Sequence, residues 1–402
     1  MSTPEHRADR LDEAVKLIGD WTEKNRTHPK SAELREWLKQ KENGIEPQPF
    51  MELFTWIGLQ QELRPLGLAL LDCLREMRLV DLIQIAGRRM IFLLVGIVMA
   101  KLNRTSLRGN ILDPEIAVQS LAHTAKTLKT EVTFSCVPDI SAFAESYGCD
   151  IKIPENSIAM VTRHSVRTRD DLKRLEDAGP QWHDRLLNNF KVLGGMAERF
   201  TTFKLALGGG PFSMAAVLAG VEDLARKTIR DPEFVERLID FCTEISILAC
   251  RGLVAAGADI IYLGDPTSGL LSRKQYERFA APYIKRVVDA VDCRFVLHIC
   301  GKSSHIITPM CATGVQGISL DNVVDMPSIA PLVPPDVAIL GNLDPVGPLL
   351  TGSPAEAARV TRDVLESMRH VPNYMFSAGC EVALETPLEN IQAMIETVKS
   401  FR

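Results

Sequence analysis

The chain has 402 residues, 46% of them hydrophobic and 24% charged, with a formal net charge of −5. That length supports a large core, and the composition is that of an ordinary soluble globular protein. The acidic balance, with no basic block carrying interleaved aromatics, excludes a dedicated nucleic-acid or anionic-membrane surface.

Nine cysteines are scattered along the sequence. An odd number in so long a chain is no secreted disulfide framework and suits thiols kept reduced for metal binding or reactivity. Met1–Arg10 is polar and charged rather than a signal peptide. The longest apolar run, Met90–Ala100, is too short to span a bilayer and reads as a buried strand. A cytoplasmic protein is expected, with no membrane and no nucleic-acid partner.

Taken in order, residues 1–85 read as helical. Leu11, Ala14, Val15 and Ile18 recur at helical spacing ahead of Trp21, and Ser31 is placed to cap a helix carrying Leu34 and Trp37. A polar stretch with two prolines, Lys41–Pro49, leads into the apolar segment Phe50–Ile85. Arg64, Arg75, Glu76, Arg78 and Asp81 interrupt that segment, so it reads as a pair of packed helices.

Beyond this point short apolar runs alternate with amphipathic stretches. Strands are expected at Ile91–Val95, Val132–Phe134, Lys204–Leu207, Ile260–Leu263, Phe295–His298, Gly317–Leu320, Val337–Leu340 and Tyr374–Phe376. Helices are expected at Pro232–Ala256, Arg273–Val291, Ser353–Met368 and Leu388–Phe401. The α/β pattern implies a (β/α)8 TIM-like barrel over 86–402, behind an N-terminal helical extension over 1–85. An open doubly wound sheet is the competing architecture, but the Gly208–Gly210 run lacks the spacing of a dinucleotide-binding G-x-G-x-x-G turn.

Polar residues just past the strand ends of a barrel gather at one face. Those placed to do so are Asp139, Gly208–Ser213, Asp265, His298, Cys300, Asp321, Asn322, Asn342, Asp344, Cys380 and Glu381. His298 and Cys300, two apart on an extended strand, point to the same side. With Cys380 they would make the three-ligand set of a catalytic zinc site, whose fourth position stays open.

Each of these has a plainer reading. A buried histidine and a core cysteine lie near each other often by chance, and Asp139 and Asp265 are placed to cap following helices. Gly341–Pro345 reads as a turn into a helix, and Lys302 either is solvated or meets an anionic group on a substrate. Cys73, Cys136, Cys149, Cys242, Cys250, Cys293 and Cys311 read as small core residues, and His164, His183, His305 and His370 as surface residues.

These residues, in combination and in order, resemble the uroporphyrinogen decarboxylase superfamily. The likeness spans roughly residues 90–402 and is strongest from Ala255 to Ser268 (AAGADIIYLGDPTS), continuing through Phe279–Ile284. Further matching stretches are Asp139–Cys149, Gly210–Met214, His298–Gly301, Ile318–Asp321, Gly341–Pro345, Gly379–Glu381 and Thr386–Asn390. Within the superfamily the chain looks most like the zinc-dependent methylcobamide:thiol methyltransferases, the coenzyme M methyltransferases among them. Those enzymes use H-x-C and a distant Cys as ligands, whereas the decarboxylase carries an R-Q-A-G-R loop and a histidine where this chain has Cys380. Ala86-Gly87-Arg88 echoes only part of that loop.

The resemblance implies zinc held by His298, Cys300 and Cys380, and a methyl group moved between a corrinoid such as methylcobalamin and a thiol such as coenzyme M. Asp265, Glu381 and Asp139 become the candidate catalytic residues, with Asp265 or Glu381 orienting the ligands or filling the fourth position. Ser213, Asn342 and Asp321 become candidates for cofactor contacts. No D-x-H-x-x-G signature occurs, so the corrinoid is expected as a co-substrate, free or on a partner corrinoid protein. Residues 1–85 then serve as a docking surface, a homodimer surface or padding for the barrel. The alternatives are a demethylase acting on a methoxy, methylamine or methylthio compound, a non-catalytic barrel with structural zinc, and, last, a tetrapyrrole decarboxylase.

Overall fold

The structure, a computed structural model, describes residues 4–45, 48–134 and 139–401. Its strands are β1 (Ile91–Phe92), β2 (Val132–Phe134), β3 (Asp150–Lys152), β4 (Met160–Arg163) and β5 (Phe203–Gly209), then β6 (Ile260–Gly264), β7 (Arg294–Ile299), β8 (Gly317–Leu320), β9 (Ala338–Leu343) and β10 (Tyr374–Ala378). Eight of them pair in the order β1-β10-β9-β8-β7-β6-β5-β2, each neighbour parallel, as a nearly closed TIM-like barrel. These are the eight strands expected from sequence. They read as unbroken apolar runs because both faces are covered, as in β7, where every residue is buried.

Among the described residues the ladder does not join β1 to β2, and a side chain bridges that seam. Glu131, one residue before β2, accepts a hydrogen bond from the Ile91 amide of β1 at 3.1 Å and pairs with Arg88. Both side chains of that pair are essentially excluded from water, at 1% and 0% exposure. Such a pair is strongly destabilising to break from one side, since the remaining charge has no water to turn to.

Five helices precede the barrel, at Pro4–Lys24, Ser31–Glu42, Phe50–Gly58, Arg64–Arg75 and Leu79–Ile85. They cover the N-terminal ends of the strands. The Phe54 ring lies 5.3 Å from that of Phe203 in β5, and both share an apolar cluster with Ile260, Val296 and Met375. Arg294, which opens β7, donates to the carbonyls of Leu74, Arg75 and Met77, so a buried guanidinium satisfies the end of one helix and ties it to the sheet.

Several local expectations change. Ser31 is not a cap: it lies inside its helix, and its hydroxyl donates to Thr22 O at 3.2 Å, linking two helices. Phe50–Ile85 holds three helices rather than two. Only two residues of Ile91–Val95 are strand, and the Met90–Ala100 run turns into a helix at Val98–Leu102. The run stays buried because it leaves the sheet to deliver Leu94 and Ile97 to a cavity at the barrel's C-terminal face. The expected Arg273–Val291 helix breaks at Ala280, just before Pro282, whose ring nitrogen has no hydrogen to donate. A short antiparallel hairpin, β3 with β4, was absent from the sequence reading. Among the described residues no helix is long and apolar enough to cross a membrane.

Candidate metal centre

β7 and β10 deliver the three candidate ligands to one point. One ligand atom from each of His298, Cys300 and Cys380 lies within 4.8 Å of the others, and His298 Nε2 sits 3.0 Å from Cys300 Sγ. Glycines make both approaches feasible. Gly301 turns the chain after Cys300 at φ +76°, a conformation that side-chain-bearing residues avoid. At Gly379 a Cβ would stand 2.3 Å from the Asn322 amide nitrogen, so only glycine lets the strand carrying Cys380 pass so close to the β8 loop.

The surroundings orient the imidazole. His298 pairs in register with Ser319 on β8, and its Nδ1 lies 3.1 Å from the Ser319 carbonyl and 3.2 Å from its Oγ. A carbonyl oxygen only accepts, so Nδ1 carries the proton and the Nε2 lone pair is left for the sulfurs. The Tyr262 hydroxyl extends this network to Ser319 Oγ at 3.1 Å, and the Tyr262 ring stacks on His298 with centroids 5.2 Å apart. Sequence reading missed Ser319 and Tyr262. Strand register is the signal that finds them, since each sits beside a ligand strand and faces inward.

The two thiols form a coupled pair. Cys380 is pulled far below the ordinary thiol range, chiefly by its hydrogen bond with Cys300 and then by His298, while the same bond pushes Cys300 up. Two sulfurs and an imidazole nitrogen fit a zinc ion. Among the described residues no fourth histidine, cysteine or carboxylate joins this group.

The remaining candidates separate into cavity groups and scaffold. Glu381 and Asp139 line the cavity with the three ligands. Glu381 Oε1 accepts the Ile97 amide at 2.7 Å, Oε2 has no hydrogen-bond partner, and burial raises its pKa to about 8. Asp139 accepts the Ser141 amide at 2.8 Å from one residue before the N-cap, Ile140, so it is not itself the cap, and it pairs with the buried Arg185 at 2.7 Å.

Asp265 is fully buried, with burial raising its pKa to about 6. It does not line the cavity; its carboxylate accepts the Ser213 amide at 2.7 Å, while its own amide donates to His298 O at 2.9 Å. Ser213 Oγ in turn accepts from Thr267 N at 2.9 Å. Asp321 Oδ2 holds the Gly301 amide at 2.8 Å, and the Asn342 amide group donates to the carbonyls of Asp321 and Val324. Ser213, Asp321 and Asn342 thus spend their hydrogen-bonding groups on the loops around the ligands and do not line the cavity. Of the other cysteines, Cys73, Cys149, Cys242, Cys250 and Cys311 are buried and Cys293 is half-buried, while Cys136 lies outside the described residues.

Comparison with known proteins matches residues 95–401 to the family described as Uroporphyrinogen decarboxylase (URO-D). A methylcobamide:CoM methyltransferase, MtbA, of Methanosarcina acetivorans is 32% identical over 299 residues, 71% of this chain and 85% of that protein. A methylated-thiol–coenzyme M methyltransferase of Methanosarcina mazei is 29% identical over 271 residues, 65% of this chain and 70% of that protein. Among solved structures, a methyltransferase from Methanosarcina mazei superposes with a TM-score of 0.69 at 21% identity, covering 77% of this chain and 93% of that one.

Proposed function

The chain belongs to the uroporphyrinogen decarboxylase family, and on that premise we propose that it is a zinc-dependent methyltransferase moving a methyl group between a corrinoid and a thiol. The convergence of His298, Cys300 and Cys380 at the floor of a cavity carries this reading. The relatives named for methylcobamide and coenzyme M support the two substrates. Zinc in the site would hold an acceptor thiol as its thiolate, the nucleophilic form.

The reaction forms a bond between the acceptor sulfur and the methyl carbon. The cobalt–carbon bond breaks with its electron pair left on the corrinoid, and the thiol proton goes to solvent. In this chain His298 is kept in one tautomer by Ser319, and Asp321 fixes the loop that follows Cys300. The cavity's apolar walls exclude water from the sulfur and so remove a hydration shell that would blunt it.

The relative named for methylated thiols favours a second direction, in which methyl leaves a methylthio compound for the corrinoid. Anaerobic incubation of the zinc-loaded protein with methylcobalamin and a thiol tests the proposal. Cob(I)alamin formation that Cys380→Ala abolishes is the result expected. Turnover that persists in Cys380→Ala would remove the site from the reaction.

A further inference from the structure

The cavity above the three ligands has a volume of about 340 Å³. That is roughly twice the ~150 Å³ that suffices to hold a benzene ring. Phe134, Phe143, Phe190, Ile140, Leu207 and Met214 are among its walls. Of its neutral polar groups, Ser246 Oγ donates to Gly209 O at 2.7 Å, the Tyr262 hydroxyl is bound to Ser319, and Asn189 adds an uncharged amide.

The cavity offers an anion no partner. Besides the three candidate ligands, its titratable side chains are Asp139 and Glu381, and among the described residues no lysine or arginine lines it. Lys302, next to the metal loop, is exposed and does not line the cavity. Arg185, behind Asp139, is already held by Asp139 at 2.7 Å and Glu145 at 3.3 Å. Residues 135–138, outside the described set, are Ser135, Cys136, Val137 and Pro138, none of them basic.

Coenzyme M, which appears in the names of the relatives, carries a permanently charged sulfonate. In this cavity that sulfonate would find no lysine or arginine among the described residues to pair with, since Arg185 is already held by Asp139, and burying an unpaired anion against apolar walls is strongly unfavourable. We infer that the thiol or methylthio compound served by this site presents an uncharged, apolar body, alkyl or aryl, to the cavity and carries no anionic tail. The inference rests on the thiol methyltransferase reading and names its substrate class.

Replacing zinc with Co(II) makes thiol binding visible as a sulfur-to-metal absorption band, read without turnover. Titration of the Co(II)-loaded protein with 1-propanethiol, benzyl mercaptan and 2-mercaptoethanesulfonate, at one pH and ionic strength, compares bodies of different charge. The neutral thiols are expected to bind at least about 100-fold more tightly than the sulfonate. Equal or tighter binding of the sulfonate overturns the inference and leaves the thiol methyltransferase reading standing. If no thiol perturbs the band while the metal stays bound, the reading and the inference fall together.

Discussion

His298 on β7 and Ser319 on β8 face each other in parallel register, and the Ser319 carbonyl lies 3.1 Å from His298 Nδ1. That contact points Nε2 at the sulfurs, so the neighbouring strand selects the nitrogen that faces them. Ser319→Ala removes the hydroxyl and leaves the carbonyl. Zinc affinity should fall by about tenfold, the low end of what such supporting partners contribute. Competition with a chromophoric chelator measures it, and an unchanged affinity would mean the carbonyl alone sets the tautomer.

Cys300→Ser and Cys380→Ser should each reduce bound zinc from one per chain to a small fraction, since a hydroxyl is a far poorer zinc ligand than a thiolate. Elemental analysis after dialysis reads the loss. Chelating the wild-type metal should also lower the melting temperature, because zinc binds the folded site and not the unfolded chain. Full zinc retention in either variant would mean that another group ligates.

Gly379→Ala tests the path of the second ligand strand. The added methyl would overlap the Asn322 backbone, where a Cβ falls 2.3 Å from nitrogen. Overpacking of this kind costs about 1–3 kcal/mol. Urea unfolding should show that loss together with weaker zinc binding, since Cys380 follows directly. A loss of stability with zinc affinity intact would separate strand path from ligand placement.

The barrel seam makes a contrasting prediction, remote from the ligands. Arg88→Ala leaves the buried Glu131 without its counter-charge and should cost about 3–5 kcal/mol, whereas Glu131→Gln leaves Arg88 with Glu52 and should cost less. The double variant Arg88→Met with Glu131→Leu should recover much of that loss, because no charge is stranded. Equilibrium denaturation of the single and double variants decides it. Additive losses would show that the pair is not coupled.

The strands were legible in sequence because burial on both faces wrote them as apolar runs, and His298, Cys300 and Cys380 because they sit where those runs end. Residues whose roles depend on what lies beside them in space were not legible. Ser319 and Tyr262 are ordinary strand residues until register brings them against His298. Ser213, Asp321 and Asn342 were found as polar residues beyond strand ends, but their positions do not reveal that backbone groups occupy them. The β3–β4 hairpin is mostly exposed and shows no apolar alternation to announce it. Ser31 misleads because serine suits a helix start and an interhelical hydrogen bond equally well.

X-ray absorption at the zinc edge, with and without a neutral thiol, addresses the central claim most directly. Two sulfurs at about 2.3 Å with lighter atoms completing the shell, rising to three sulfurs when the thiol is added, is the result expected of His298, Cys300, Cys380 and an exchangeable position. A shell whose sulfur count ignores the thiol would contradict the account and leave the zinc a structural ion.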